Sequence, residues 1–167
     1  MILREMSGEE CRDLLARLEY GRLATVHQNQ PYIVPIYFGY DREYLYGFTS
    51  VGRKVEWMRA NPLVCVEVDD IVSHFHWSSV VVLGQYEELP DTPMYRDVRL
   101  RAQILLERRV LWWQTAYAAR QVREGTHPTD ALFYRIHIEE ITGRRATPDP
   151  VESMVGLSSA ARPAREK

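Results

Sequence analysis

Apolar and polar residues along this chain recur with two different periods, and the points where the period switches mark its elements. Ser7-Gly8-Glu9-Glu10 has the S-x-x-E form of a capping box. Cys11, Leu14, Leu15 and Leu18 follow at helical spacing, which predicts a first helix over about Ser7 to Glu19. From Gly21 the period falls to two. Leu23 to Val26, Tyr32 to Tyr40 and Tyr44 to Thr49 read as strands, separated by Gln28-Asn29-Gln30-Pro31 and Asp41-Arg42-Glu43. Pro35, which has no N–H, suits an edge strand or a bulge. After Gly52 the spacing of Val55, Met58 and Arg59 predicts a short helix that stops at Asn61-Pro62. Leu63 to Val68 and Phe75 to Glu87 read as two strands separated by Asp69-Asp70, with Gly84 a candidate bulge. The stretch from about Pro93 to Val122 lacks Gly and internal Pro and predicts a helix or a helix pair, its apolar surface enlarged by Trp112, Trp113, Ala116 and Tyr117. Leu132, Tyr134, Ile136 and Ile138 alternate along a last strand, Ala131 to Thr142, which Gly143 is expected to end.

Six strands with few βαβ alternations predict a mainly β fold, an antiparallel barrel carrying helices, rather than a doubly wound sheet. A length of 167 residues suits one domain, expected over residues 1–146. The Pro-, Ser-, Ala- and Arg-rich residues 147–167 are expected to be flexible or packed on a partner subunit. With 46% hydrophobic and 26% charged residues, a chain disordered throughout is excluded. Lys plus Arg number 21 against 23 Asp plus Glu, so no general attraction toward nucleic acid or an anionic membrane is expected and any anion site must be local. Cys11 and Cys65 form no metal-ligand spacing, which argues against a zinc site or a disulfide framework. No segment is apolar for long enough to span a bilayer and the first residues do not resemble a secretory leader, so a cytoplasmic location is the expectation.

The densest local chemistry lies in Phe48-Thr49-Ser50-Val51-Gly52-Arg53-Lys54, which puts hydroxyls, a glycine and two cations where a strand gives way to a helix. Free N–H groups and the dipole at a helix start favour an anion, to which Lys54 adds a point charge and Arg53 a planar donor fork. The same residues would equally serve as a Ser50 helix cap with two solvated cations. In His74-Phe75-His76-Trp77-Ser78-Ser79, strand alternation puts His74, His76 and Ser78 on one face and Phe75, Trp77 and Ser79 on the other. Two histidines on one face could bind a metal, or one could be axial to haem, yet no third ligand accompanies them. No G-x-S-x-G, Walker loop or H-E-x-x-H occurs, and the paired acids do not suggest a catalytic carboxylate pair.

Gly21-Arg22-Leu23-Ala24-Thr25, then Pro31 to Phe38 with Val34-Pro35-Ile36, then Tyr46-Gly47-Phe48-Thr49-Ser50 through Lys54, then Asn61-Pro62 resemble, in that order, the pyridoxamine 5′-phosphate oxidase-like flavin-binding split barrels. Trp77 to Gly84 and Phe133 to Gly143 extend the resemblance, which runs from Met6 to about Ala146 and is nearest to the nitroimidazole-resistance branch. The resemblance implies a six-stranded split barrel and a homodimer holding flavin mononucleotide (FMN) at its interface, with haem or a deazaflavin as alternative cofactors. It places Lys54 and Arg53, with Thr49 and Ser50, on the phosphate. Arg22, Leu23, Ala24, Thr25, Val34, Pro35 and Ile36 would line the ring and ribityl chain, and Trp77, Ser79 and Val80 would approach from the fifth strand. The activity implied is an FMN-dependent reduction of a small molecule, a nitro compound in the nearest branch, and the alternative is storage or carriage of flavin or haem. The terminal Trp…Arg-Leu-x-Pro ending of the vitamin-making oxidases is missing, and Arg135-x-His137 lacks their surrounding motif, so synthesis of pyridoxal phosphate is not expected.

Overall fold

The computed structural model describes residues 1–108 and 131–149. The expected helical residues after Arg108, including Trp112, Trp113, Ala116 and Tyr117, and the tail beyond Asp149 lie outside the described residues. In chain order the elements are β1 (Ile2–Glu5), α1 (Gly8–Arg17), β2 (Tyr20–His27), β3 (Gln30–Tyr37), β4 (Gly39–Asp41), β5 (Tyr44–Ser50) and α2 (Arg53–Ala60). They continue with β6 (Leu63–Ser73), β7 (His76–Leu89), a 3-10 turn at Pro93–Tyr95, α3 (Arg96–Glu107) and β8 (Ala131–Thr147).

All strand pairs are antiparallel, and the order across the sheet is β3-β2-β6-β7-β8-β5-β4, with β1 added on β8. The two ends of that order, β3 and β4, are neighbours in sequence with only Phe38 between them. One residue can join opposite ends of a sheet only if the sheet curls until its ends meet, and that closure makes the split barrel. Phe38 is fully buried, and its amide donates to the Glu19 carbonyl at 3.1 Å rather than to a strand partner. That contact divides the expected Tyr32 to Tyr40 strand in two. Among the described residues, with β1 also present, the sheet has eight strands where the sequence pattern predicts six.

Three further boundaries differ from the sequence reading, each for a physical reason. Asp69 and Asp70 do not form a turn; they lie within β6, opposite Ser79 and Ser78. Asp69 accepts from Arg22 at 2.7 Å, and Asp70 lies 3.8 Å from Arg17, so the acids are stabilised in the strand by cations from neighbouring elements. Gly143 does not end β8, which continues to Thr147. A Cβ there would approach Cys11 Sγ to 2.7 Å, so Gly143 serves close packing of α1 on the sheet rather than termination. Gly84 is not itself the bulge: the β7–β8 register shifts beside it, where Leu83 pairs with Glu140 and Gly84 with Ile138, so the extra residue is Glu139 of β8, and a Cβ at Gly84 would approach the His137 carbonyl of that strand too closely.

The β2–β3 hairpin turns on Gln28 and Asn29 at φ 50° and 63°, the left-handed pair that a two-residue hairpin requires. Inside the barrel, Leu23, Phe38, Leu45, Val66, Val68, Val80, Val82 and Ile136 are sealed from solvent. Helix α2 adds Val55 and Met58 to this core, and α1 adds Cys11, Leu14 and Leu15. Burying each large aliphatic side chain stabilises the fold by about 1.5–3 kcal/mol. Helix α3 covers a separate cluster of Tyr46, Leu89 and Ala102 on the other side of β5.

Helix α1 begins in the capping box read from the sequence: Ser7 Oγ accepts from the Glu10 amide, and the Glu10 carboxylate accepts from the Ser7 amide at 2.9 Å. The same carboxylate accepts from Arg4 at 2.6 Å and from Arg145 at 3.0 Å, tying β1, α1 and β8 together. Its pKa is lowered from 4.5 to about 2, first by the Arg4 hydrogen bond and then by the Ser7 amide. The folded state therefore binds this proton less readily than the unfolded chain. The resulting stability is present above about pH 4.5 and is lost as pH falls toward 2. Thermal melts of Glu10→Gln are expected to show a lower Tm than the parent at pH 7, with the gap closing as the pH is taken down through that window. A gap independent of pH would disprove the linkage.

Candidate functional site

Strand β5 ends at Ser50 and α2 starts at Arg53, so the chain turns from strand to helix over Val51 and Gly52. The N-cap of α2 is Gly52 and no side chain caps the helix, which removes Ser50 from the capping role. A Cβ on Gly52 would meet nothing within 4 Å, so the corner opens to solvent. The first amides of α2 are left pointing outward at the positive end of the helix dipole.

Beside this corner is a cavity of about 390 Å³ whose wall brings together Pro35 and Ile36 of β3, Thr49 and Ser50 of β5, Lys54 of α2 and Tyr134 of β8. Tyr20, Tyr37 and Phe48 complete it. The Lys54 ammonium is half-buried, and among the described residues it has no hydrogen-bond or ion-pair partner. Burial holds its pKa below the ordinary lysine value, since removing water penalises the charged form. Elsewhere among the described residues Arg22, Arg59, Arg101 and Arg135 each pair with an acid. Lys54 is the exception at the cavity, and an anion is what its position lacks.

Tyr134 closes the floor of the cavity. It is 2% exposed, and burial raises the pKa of its phenol. Its ring lies directly over Gly47, its cross-strand partner, where a Cβ would stand only 2.2 Å from Cζ. Neither residue stands out by type in the sequence, because the requirement for Gly47 exists only once β5 and β8 are paired.

The remaining expected site residues separate by strand alternation. Arg22 is on the outer face of β2, donating to Glu67 at 2.9 Å and to Asp69 at 2.7 Å, and lines a neighbouring cavity of about 350 Å³ that shares Tyr20 and Pro35 with the first. Its charge is therefore compensated within the protein. Leu23, Thr25 and Val80 point into the barrel, at 0%, 2% and 0% exposure, so their side chains serve the core rather than a cavity wall. Thr25 Oγ1 is buried there without a hydrogen-bond partner. Ala24 and Val34 are half-buried, Val34 against the core. Trp77 and Ser79 face outward on β7 and line a third cavity of about 470 Å³ with Val81, Gly143 and Arg144, and Ser79 donates to Glu67 at 3.1 Å.

Arg53 does not line the first cavity; its guanidinium lies over the Tyr32 ring, 5.6 Å from the centroid. His74 is in the turn between β6 and β7 and His76 is exposed at the start of β7. Among the described residues, no group of three His, Cys, Asp or Glu side chains could hold a metal. Arg135 is held by Glu87 at 2.6 Å and lies over the Tyr44 ring. Among the described residues, no helix is long and apolar enough to cross a membrane.

Barrel and corner together define an antiparallel split barrel with an anion-ready cleft at a strand-to-helix junction. Residues 7–145 match the family described as pyridoxamine 5′-phosphate oxidase, and the chain belongs to that family. It is similar to an uncharacterized protein of Rhizobium meliloti (strain 1021), 38% identical over 146 residues that cover 87% of this chain and 97% of that one. The crystal structure of an FAD-binding protein from Mesorhizobium loti has 40% sequence identity and a TM-score of 0.74, covering 88% of this chain and 100% of its own. The FAD-binding protein of Mycobacterium smegmatis has 25% identity and a TM-score of 0.62, covering 87% of this chain and 100% of its own.

Proposed function

We propose that this chain is a flavin-dependent oxidoreductase that works as a homodimer, with the phosphate next to the flavin's ribityl chain held at the β5–α2 corner. The carrying observation is Lys54, a half-buried ammonium in a cavity wall with no acid among the described residues to neutralise it. Uncapped amides of α2 and the hydroxyls of Thr49 and Ser50 stand around the same corner. These are the donors that a phosphate takes. Pro35, Ile36 and Tyr134 give the cavity an apolar wall suited to a ring and its ribityl chain.

When bound, the flavin supplies hydride or electron transfer to a small acceptor, with a nitro compound as the candidate. The protein's part is positional. Lys54 fixes the phosphate, Thr49 and Ser50 can donate to it, and the apolar wall keeps water from the inner face of the ring. The second copy is supported by the outer face of β3-β2-β6-β7. There Ile33, Ala24, Cys65 and Leu83 are aligned by register, with Ile33 and Leu83 61% and 45% exposed. A contiguous apolar face of this kind on a sheet is an association surface. It would bring the Trp77–Ser79 cavity of one protomer toward the cofactor of its partner.

The visible spectrum of freshly purified protein tests the cofactor, and light scattering on the same sample tests the assembly. Flavin bands on a dimer are expected. A Soret band would replace flavin with haem, a deazaflavin spectrum would change the cofactor, and a flavin-loaded monomer would contradict the shared cleft. Anaerobic turnover with reduced nicotinamide and a nitro compound separates a reductase from a carrier, which would bind flavin and reduce nothing.

A further inference from the structure

Strands β1 and β8 pair Arg4 with Arg145 and Glu5 with Arg144, and alternation sends the two pairs to opposite faces of the sheet. On the face toward α1, the like charges of Arg4 and Arg145 are bridged by the Glu10 carboxylate. On the other face the charges are opposite, yet no hydrogen bond or ion pair joins the Glu5 carboxylate to the Arg144 guanidinium, and neither group has another partner among the described residues. Both residues are exposed, and both line the cavity of about 470 Å³ beside β7. Trp77 and Val81, half-buried on the outer face of β7, give that cavity an apolar wall, and its Ser79 hydroxyl already donates to Glu67. The volume is in the range of small-molecule sites, about 300–1,000 Å³. None of these residues lines the Lys54 cavity.

We infer that this cavity binds a free α-amino acid with an aromatic side chain. Such a molecule carries a carboxylate and an ammonium on one carbon. Directly opposed residues of an antiparallel pair hold their Cβ atoms about 4.5–5.5 Å apart, so one zwitterion can reach both charged heads. Its carboxylate takes the planar fork of Arg144, and its ammonium donates to Glu5. Its ring packs on the Trp77 indole, with Val81 completing the apolar contact. A carboxylic acid without the amine would bring its anion against Glu5, and an amine without the carboxylate would bring its cation against Arg144. A ligand with both charges satisfies both side chains. A direct Glu5–Arg144 contact in the open contributes little to stability, so the pair does not close the site against such a ligand. The assignment goes beyond the flavin reading and does not depend on it.

Isothermal titration of the full-length protein, as purified, compares phenylalanine with phenylpropionate, which lacks the ammonium, and with phenylethylamine, which lacks the carboxylate. Phenylalanine is expected to bind about tenfold tighter than either, the ratio that one charge-assisted contact supplies. Arg144→Gln should weaken phenylalanine about tenfold, while phenylethylamine binds no worse than to the parent protein. Glu5→Gln should weaken phenylalanine by a similar factor, while phenylpropionate binds no worse than before. Both side chains are exposed, so neither substitution disturbs the core. Trp77→Leu should weaken all three probes, since each presents the same ring. Phenylalanine that gives no heat at millimolar concentration would overturn the assignment. So would equal affinities for the three probes, or Arg144→Gln and Glu5→Gln proteins that bind phenylalanine as the parent does.

Discussion

Lys54→Ala is expected to weaken FMN binding ten- to a hundredfold or so and to leave riboflavin, which has no phosphate, unchanged. A charge-assisted hydrogen bond contributes about 1.5–3 kcal/mol, and about 1.4 kcal/mol is a factor of ten in affinity. The pH dependence should carry the same signature. Burial lowers the Lys54 pKa from 10.5 in the cofactor-free protein, so its ammonium begins to lose its proton below that pH. FMN affinity is therefore expected to fall as the pH rises into this alkaline range, with a proton taken up on binding, and to lose that dependence in Lys54→Ala. Stability of the cofactor-free protein runs the other way: the unfolded chain binds this proton more tightly, so stability increases with pH across the window. Lys54→Met keeps the apolar stem and removes the buried charge. Its cofactor-free form should melt no lower than the parent while binding FMN more weakly, which separates damage to the fold from loss of the contact. FMN affinity that is unchanged in a folded Lys54→Ala protein, by isothermal titration, would remove the phosphate from this corner.

How much of this could be read from the chain depended on whether each requirement was local. The Ser7–Glu10 capping box and the short helix through Val55 and Met58 declare themselves within a few residues, and the structure contains both, whereas the bulge expected at Gly84 falls on Glu139 of the strand opposite. Strand β1 does not. Ile2–Glu5 pairs with Arg144–Thr147 at the far end of the chain, and four residues hold too little alternation to show a period. The break at Phe38 and the continuation of β8 past Gly143 likewise depend on Glu19 and Cys11, which only the folded barrel brings near. At the site, contiguous runs such as Arg22 to Thr25 could be assigned to a region but not to a side. Alternation then sends Leu23 and Thr25 inward and leaves Arg22 among acids on the outside. The ring contacts of Trp57 with His27 and Tyr32 were hidden for the same reason, since the three residues belong to three different elements.

Gly47→Ala is the substitution expected to damage fold and cleft together. A methyl group at this position would stand 2.2 Å from Tyr134 Cζ and 2.4 Å from both Cε1 and Oη, distances that no real Cβ contact adopts. The ring cannot stay where it is. On one side it meets the Tyr86 ring at 5.6 Å in the filled core, so the space open to it is the cavity beside Lys54. Overpacking of a core costs about 1–3 kcal/mol, and that amount lowers the Tm of a domain of this size by several degrees, about 2–4 °C for each kcal/mol. Displacing Tyr134 into the cavity should also weaken flavin binding, although residue 47 carries no group that could touch the cofactor. Shortening the obstructing ring supplies the control. In Gly47→Ala/Tyr134→Leu the clash is relieved, so the double variant should lose less stability and less affinity than the two single losses added together. Losses that simply add would mean that Tyr134 is not the contact that makes glycine necessary at position 47. A Gly47→Ala protein with parental melting and parental affinity would show that the ring does not lie against this strand at all.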